Sequence, residues 1–221
     1  MKAVNTLRLV RVKDPIKIEG VLTESAWTTN SGIFDFYQQD PKEGEPASEK
    51  TKIRVLFDDK NIYFAIRAFD SEPLNINARE LVRDSSFSND DKVEIILDTF
   101  HDRRNTFRFT FNPLGTQQDA LITAEGRDVN LSCDAAWVSE GKRDGIGWTF
   151  AADQCEDAMV RNPFGLPAGR NVLIVPVPLP TFSWSQRQSE VSVVGAFIQV
   201  EMRCQIVPNE QSCIVHFVQR A

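Results

Sequence analysis

The sequence predicts an all-β protein: an antiparallel β-sandwich, jelly-roll-like, with long loops. Two observations lead there. Apolar and polar residues alternate at period two in short runs, the pattern of strands that bury one face. Clusters of Asp, Asn, Gly and Pro separate those runs at sandwich-like spacing.

Lys52 to Asp58 sets Ile53, Val55 and Phe57 on one face and Lys52 and Arg54 on the other; Asp58-Asp59-Lys60-Asn61 then reads as a hairpin turn. Asn61 to Asp70 turns Ile62, Phe64 and Ile66 inward and Tyr63 and Arg67 outward, and pairs with the preceding strand. Ser71 to Asn89 loses the alternation and reads as a long loop across one end or edge, with a short helical turn around Ala78 to Val82. Lys92 to Asp98 resumes it, with Val93, Ile95 and Leu97 inward and Lys92, Glu94 and Asp98 outward. Past a polar corner from His101 to Asn105, Thr106 to Asn112 places Phe107, Phe109 and Phe111 on one face and Thr106, Arg108 and Thr110 on the other. Asn112-Pro113-Leu114-Gly115 ends that strand in a turn. Runs at Gln117 to Thr123, Ala135 to Ser139 and Trp148 to Ala152 complete the set.

Composition then shifts. From Asp144 to the end there is no Lys and no Tyr, while three of the four cysteines and six of the eleven prolines occur there. Pro176, Pro178 and Pro180 would each remove a ladder donor, so Asn171 to Leu179 and Val191 to Val207 read as edge strand or irregular cap. The domain reading is a sandwich over residues 14–150 and a divergent segment over 151–221 that either completes the sandwich or packs loosely on it.

At 221 residues the chain buries a core without disulfide staples. Its formal charge of −6 leaves no basic excess to displace counterions from nucleic acid or to anchor on a membrane. No apolar run approaches the roughly 20 residues that cross a bilayer, and Met1 to Val12 has no export-signal core. As written, the chain is expected to stay where it is made, unless its true start is missing. Cys133, Cys155, Cys204 and Cys213 share no metal or redox spacing, and with His101 and His216 far away they read as separate thiols.

Ile18-Glu19-Gly20-Val21-Leu22-Thr23-Glu24-Ser25-Ala26-Trp27, then Thr51 to Tyr63, then Asp91 to Asp98 together resemble carbohydrate-binding modules of family 9. Asp98 to Asn105 followed by Phe109 to Gly115 resembles the branch found at the start of large bacterial secreted or outer-membrane proteins. The resemblance covers residues 14 to 150 and implies a non-catalytic, sugar-binding sandwich that targets an associated hydrolase to polysaccharide. It further implies structural calcium and an extracellular, periplasmic or outer-membrane location. In the family, two tryptophans clamp a terminal sugar while a glutamate, an arginine and amides bind its hydroxyls. By resemblance the glutamate is Glu94, the first clamp falls at Ser88 beside Phe87, and the arginine falls near Thr110 rather than on Arg108. The second clamp belongs in the C-terminal region, where Phe182-Ser183-Trp184-Ser185 is suggestive.

The alternation itself puts Arg54, Arg67, Glu94 and Arg108 opposite the apolar sets, where they could form one polar sheet surface suited to sugar hydroxyls. The alternative is a solvated face of cross-strand ion pairs. Phe87, Trp137 and Trp184 are the candidate stacking platforms, and Trp27 and Trp148 are expected in the core. Calcium needs six to eight oxygens, for which Asp90, Asp91, Asp102, Asp119 and Asp128 are candidates without EF-hand-like order.

Two other functions stay open, a glycoside hydrolase and a structural module of an outer-membrane protein. Glu94 and Asp98 share a strand face, but at about 3.4 Å per residue their backbones lie roughly 14 Å apart, too far for an acid and base to share one glycosidic bond. A cross-strand partner such as Asp119 is the remaining option. His101, beside Asp102, Arg103 and Arg104, reads as part of a turn-stabilising polar cluster rather than a general base.

Overall fold

The computed structural model of the chain describes residues 7–8, 10–14, 16–29, 32, 34, 36–38, 42, 44–58, 61–97, 104–155, 197–202 and 214–215. In chain order the strands are β1 (Leu7–Arg8), β2 (Val10–Arg11), β3 (Thr51–Phe57), β4 (Asn61–Phe69), β5 (Lys92–Leu97), β6 (Thr106–Phe111), β7 (Gln117–Thr123), β8 (Asp128–Asn130), β9 (Trp137–Asp144), β10 (Gly147–Cys155), β11 (Phe197–Met202) and β12 (Ile214–Val215). They form two five-stranded sheets, β2-β3-β4-β10-β9 and β11-β5-β6-β7-β8, and a two-stranded ribbon of β1 and β12. The architecture is the expected β-sandwich. Its two parallel pairs, β2–β3 and β11–β5, lie at sheet edges, each between strands far apart in sequence, as parallel pairing requires.

The strand phases read from the sequence build one core between the sheets. Ile53, Val55, Ile62, Phe64, Ile66, Trp148 and Phe150 from the first sheet meet Val93, Ile95, Leu97, Phe107, Phe109 and Phe111 from the second. Phe111 and Phe150 stack across the middle with their planes 4° apart, and each such buried ring contributes roughly 1.5–3 kcal/mol.

A second apolar cluster lies on the outer face of the first sheet. Leu56, Tyr63 and Ala65 are covered there by Ile16 and Trp27, whose Nε1 donates to Glu24 Oε2 at 3.0 Å. The N-terminal segment thus seals part of that face, and Trp27 is a core residue as expected.

The loop from Ser71 to Asp91 is tied down by carboxylates rather than by regular structure. Its helical turn lies at Pro73–Asn75, not around Ala78 to Val82. Proline preorganises the first position of such a turn, whereas the amides of Arg79 and Glu80 donate to the Asp90 carboxylate at 3.0 Å. That bond draws Arg79 and Glu80 toward the start of β5 instead of into a turn of their own. Asn112 completes the junction, donating from Nδ2 to Asp90 Oδ2 and to the Glu80 carbonyl.

Of the segment 151–221, β10 reaches Cys155 and β11 supplies an edge of the second sheet. The prolines at 176, 178 and 180 lie outside the described residues. Among the described residues no helix is long and apolar enough to cross a membrane.

Candidate functional site

The outer face of the β11-β5-β6-β7-β8 sheet carries a compact polar group at its centre. Because Val93, Ile95, Phe109 and Phe111 face the core, Glu94, Ile96, Arg108 and Thr110 project the other way. Register aligns them in two rows: Glu94, Thr110 and Gln118 across β5, β6 and β7, and Ile96, Arg108 and Ala120 beside them. Directly paired Cβ atoms lie about 5 Å apart and diagonal ones about 7–8 Å, so Glu94, Thr110 and Arg108 are all within reach of one small molecule. In β11 the positions in register with Glu94 and Ile96 are Gln199 and Glu201.

Burial is deep at the centre of this face, with Glu94 9% and Thr110 1% exposed. Lys92, Arg108 and Gln118 are half-buried and form its more open part. Gln118 Nε2 donates to the Ser85 carbonyl at 2.7 Å, bringing the 82–88 loop to the end of the first row.

Among the described residues four enclosed side-chain atoms lack a hydrogen-bond partner: Arg54 Nε, Ser85 Oγ, Arg108 Nε and Thr110 Oγ1. Arg108 and Thr110 stand on this face, and Ser85 is joined to it through Gln118. An enclosed polar atom without a partner costs about 1–3 kcal/mol, so a cluster of them marks a place where hydrogen-bonding capacity is held unspent.

The expectation of one polar surface for Arg54, Arg67, Glu94 and Arg108 is corrected by the topology. Arg54 and Arg67 belong to β3 and β4 in one sheet, Glu94 and Arg108 to β5 and β6 in the other. All four are the outward residues of their strands, and the outward faces of two packed sheets look away from each other. Arg67 is also committed locally: its Nη atoms donate to both Asp144 oxygens at 2.7 Å and to Thr149 Oγ1 at 2.8 Å. That fork holds the Asp144 carboxyl well below its usual range, at about 2.

Two expected stacking platforms are likewise corrected. Trp137 is 8% exposed and sits in the central core, edge-on to Phe109 with ring centroids 5.2 Å apart. Phe87 is 3% exposed, buried rather than presented by its loop. Neither offers a ring face to a sugar. Trp184 lies outside the described residues, as do Asp98, His101 and Asp102. Trp148 is in the core, as expected.

Three of the described aspartates proposed for calcium carry protein hydrogen bonds. Asp90 accepts from Arg79, Glu80 and Asn112, and Asp91 Oδ2 accepts from the Asn77 amide. Asp119 accepts from Arg83, from the Ala135 amide and from Trp137 Nε1, while Asp128 is exposed on β8. Among the described residues no three His, Cys, Asp or Glu side chains converge as metal ligands would.

Asp119 also fails as a partner for Glu94. It is paired with inward-facing Phe109 and buried at 1% exposure, so the two carboxylates project from opposite faces of one sheet. They cannot flank a shared glycosidic bond. Cys133 is a free, half-buried thiol, its pKa raised by burial and by the charges of Asp119 and Asp134.

Thr110, Gln118 and Ser85 are the site residues that sequence reasoning left out. Thr110 had a signal, because the family arginine falls near it; Ser85 and Gln118 had none, since only the folded loop joins them.

Fold and site define a β-sandwich module whose distinguishing feature is a polar outer sheet face. Residues 18–126 match the carbohydrate family 9 binding domain-like family. Among solved structures, a Bacteroides uniformis protein proposed to bind carbohydrate is similar in fold, with 13% identity, a TM-score of 0.52, and 74% of this chain and 77% of that one covered. A family 9 module from Caldicellulosiruptor kristjanssonii in complex with glucose shares 15% identity over 66% of this chain and 67% of that one, with a TM-score of 0.46. The same organism's module with cellotriose shares 16% over 66% of each chain, also with a TM-score of 0.46. The chain thus spans about two thirds of the length of those two. No curated protein matches it.

Proposed function

We propose that this protein binds carbohydrate without catalysis, through the outer face around Glu94, Thr110 and Arg108, and thereby brings an associated protein to a polysaccharide or sugar end outside the cell. The match of residues 18–126 to the family 9-like binding domains supports the ligand class. The observation that carries the location is the pairing of Glu94 with Thr110 beside Arg108, with Thr110 Oγ1 and Arg108 Nε enclosed and unpartnered among the described residues. A carboxylate accepts from sugar hydroxyls, a guanidinium donates to them, and a threonine hydroxyl does either. A ligand that satisfies these groups recovers what their burial costs.

Calorimetric titration against a panel of mono- and oligosaccharides tests this, with Glu94→Ala and Arg108→Ala alongside the unaltered protein. Saturable binding that weakens at least about tenfold in each variant is expected, the loss of one charge-assisted hydrogen bond. A folded protein that binds no sugar, or one whose binding ignores both substitutions, would overturn the reading.

A further inference from the structure

The opposite side of the sandwich carries a second group with unspent capacity, of different chemistry. Lys52 and Arg54 stand two residues apart on β3 and project to the same outer face. Among the described residues neither forms an ion pair with a carboxylate, and Arg54 Nε is enclosed without a partner. Lys52 is directly paired with Arg67. That neighbour is already neutralised by Asp144, whereas Lys52 and Arg54 have no such counter-charge among the described residues. The Lys52 ammonium pKa is lowered by its burial and by the field of Arg54. Like charges placed together destabilise a strand surface, and here they occur on a chain of net charge −6.

Aromatic rings lie against Lys52 and its paired neighbour Arg67. Lys52 Nζ lies 4.7 Å from the centroid of Phe34, which is 45% exposed, and the Arg67 guanidinium lies 5.3 Å from that of Phe69, which is 37% exposed. Across this face the order is Phe34, Lys52, Arg67 and Phe69. Gly32 passes close over the strand: a Cβ there would come within 3.0 Å of Arg54 Cγ and 3.4 Å of Lys52 Cε. Backbone therefore borders the cations on that side.

An anion alone would satisfy the charges but leave the exposed area of Phe34 uncovered, and a neutral sugar would do the reverse. We propose that this face binds a carboxylated sugar of an acidic polysaccharide, its carboxylate between Lys52 and Arg54 and its C–H face on Phe34. Carboxylate recognition by a guanidinium is charge-assisted and directional, and an exposed ring supplies apolar area of matching shape. This site is independent of the Glu94 face, which lies on the other sheet.

The test is calorimetric titration of the full chain with an oligogalacturonate, a neutral oligosaccharide of equal length, and inorganic phosphate. Lys52→Met and Arg54→Met are each expected to weaken oligogalacturonate binding by about tenfold or more, and salt at about 0.5 M should weaken it strongly in the unaltered protein. Phe34→Ala should weaken the oligogalacturonate but not phosphate, and Glu94→Ala should leave oligogalacturonate binding intact while abolishing that of the neutral sugar. Amide chemical-shift changes in the unaltered protein should centre on β3 and β4, which locates the site even where a variant folds poorly. Absence of oligogalacturonate binding, shifts centred on β5 and β6, or phosphate competing as well as the oligomer at equal anion concentration would each overturn the proposal. Failure of the neutral sugar alone would count only against the Glu94 face.

Discussion

Arg83 donates from Nη2 to the buried Asp119 carboxylate at 2.5 Å across 36 residues of chain, clamping the long loop before β5 to strand β7. The same guanidinium reaches Gln117 Oε1 and the Ala135 carbonyl, while Asp119 accepts the Ala135 amide at 2.7 Å. One carboxylate thus organises three segments. Asp119→Ala is expected to lower stability by about 3 kcal/mol, because it strands the Ala135 and Trp137 donors and uncouples Arg83. Arg83→Ala leaves a buried carboxylate without its cation and is expected to cost a similar amount. Denaturant unfolding of both single variants and the double should give a double-variant cost well below the sum; strict additivity would rule out the coupling.

Gly115 and Gly141 join the sheets by backbone contact. A Cβ on Gly141 would lie 2.6 Å from the Gly115 nitrogen and from the Pro113 carbonyl oxygen. Both obstacles are main chain, so no flexible side chain can swing aside. Gly141→Ala is expected to destabilise by about 2–3 kcal/mol, whereas Gly145→Ala, with nothing within 4 Å of its Cβ position, should change stability far less. Equal thermal shifts for the two would show that the turn from Asn112 to Thr116 does not press on β9.

Strand phase was legible because it is local. Ile53, Val55 and Phe57, or Phe107, Phe109 and Phe111, declare their inward face through alternation alone. Which outward face belongs to which sheet is not local: Arg54 and Glu94 look equivalent in sequence, and only the pairing of β3 with β4 and of β5 with β6 separates them. Trp137 misled for a related reason. Its neighbours Ala136 and Val138 do not reveal strand phase, and its burial depends on Phe109 and Phe111 across the sandwich. Residues covered by the N-terminal segment, such as Leu56 and Ala65, were likewise hidden, since a strand buried on both faces loses its alternation.

Trp137→Ala should therefore act on stability. Removal of a core indole is expected to cost about 3–5 kcal/mol, and Trp137→Phe markedly less. Sugar affinity measured well below the melting transition should stay within about twofold of the unaltered protein, because the ring has no face on the ligand side. A selective loss of affinity with unchanged stability would return Trp137 to the list of platforms.

The Arg67–Asp144 fork makes a small, pH-dependent contribution. The folded-state pKa of Asp144 is depressed, from 3.8 to about 2, by the Arg67 hydrogen bonds and then by the Ile146 amide. A depressed carboxylate stabilises the fold above its unfolded pKa, and that contribution fades as pH falls from about 4 through about 2. With the Asp144 side chain 50% exposed, solvent screening limits the effect to about 1 kcal/mol or less. Asp144→Asn should be slightly less stable than the unaltered protein at pH 7 and equal to it near pH 2. A gap that widens on acidification would contradict the assignment.

Thr110 is where stability and binding should pull apart. Its Oγ1 is enclosed, has no partner among the described residues, and lies beside Glu94 in the register. Valine has nearly the same shape without the hydroxyl, so Thr110→Val relieves an unsatisfied polar atom and is expected to raise stability by about 1 kcal/mol. If the hydroxyl is retained for a ligand, the same change should weaken sugar binding by about tenfold. Thr110→Ser keeps the hydroxyl and loses a buried methyl; it should therefore cost about 1 kcal/mol of stability and retain affinity. Thermal unfolding and calorimetry on the pair separate the cases: a stabilised valine variant that binds sugar normally would mean that Thr110 serves no ligand, and that the polar face is read by Glu94 and Arg108 without it.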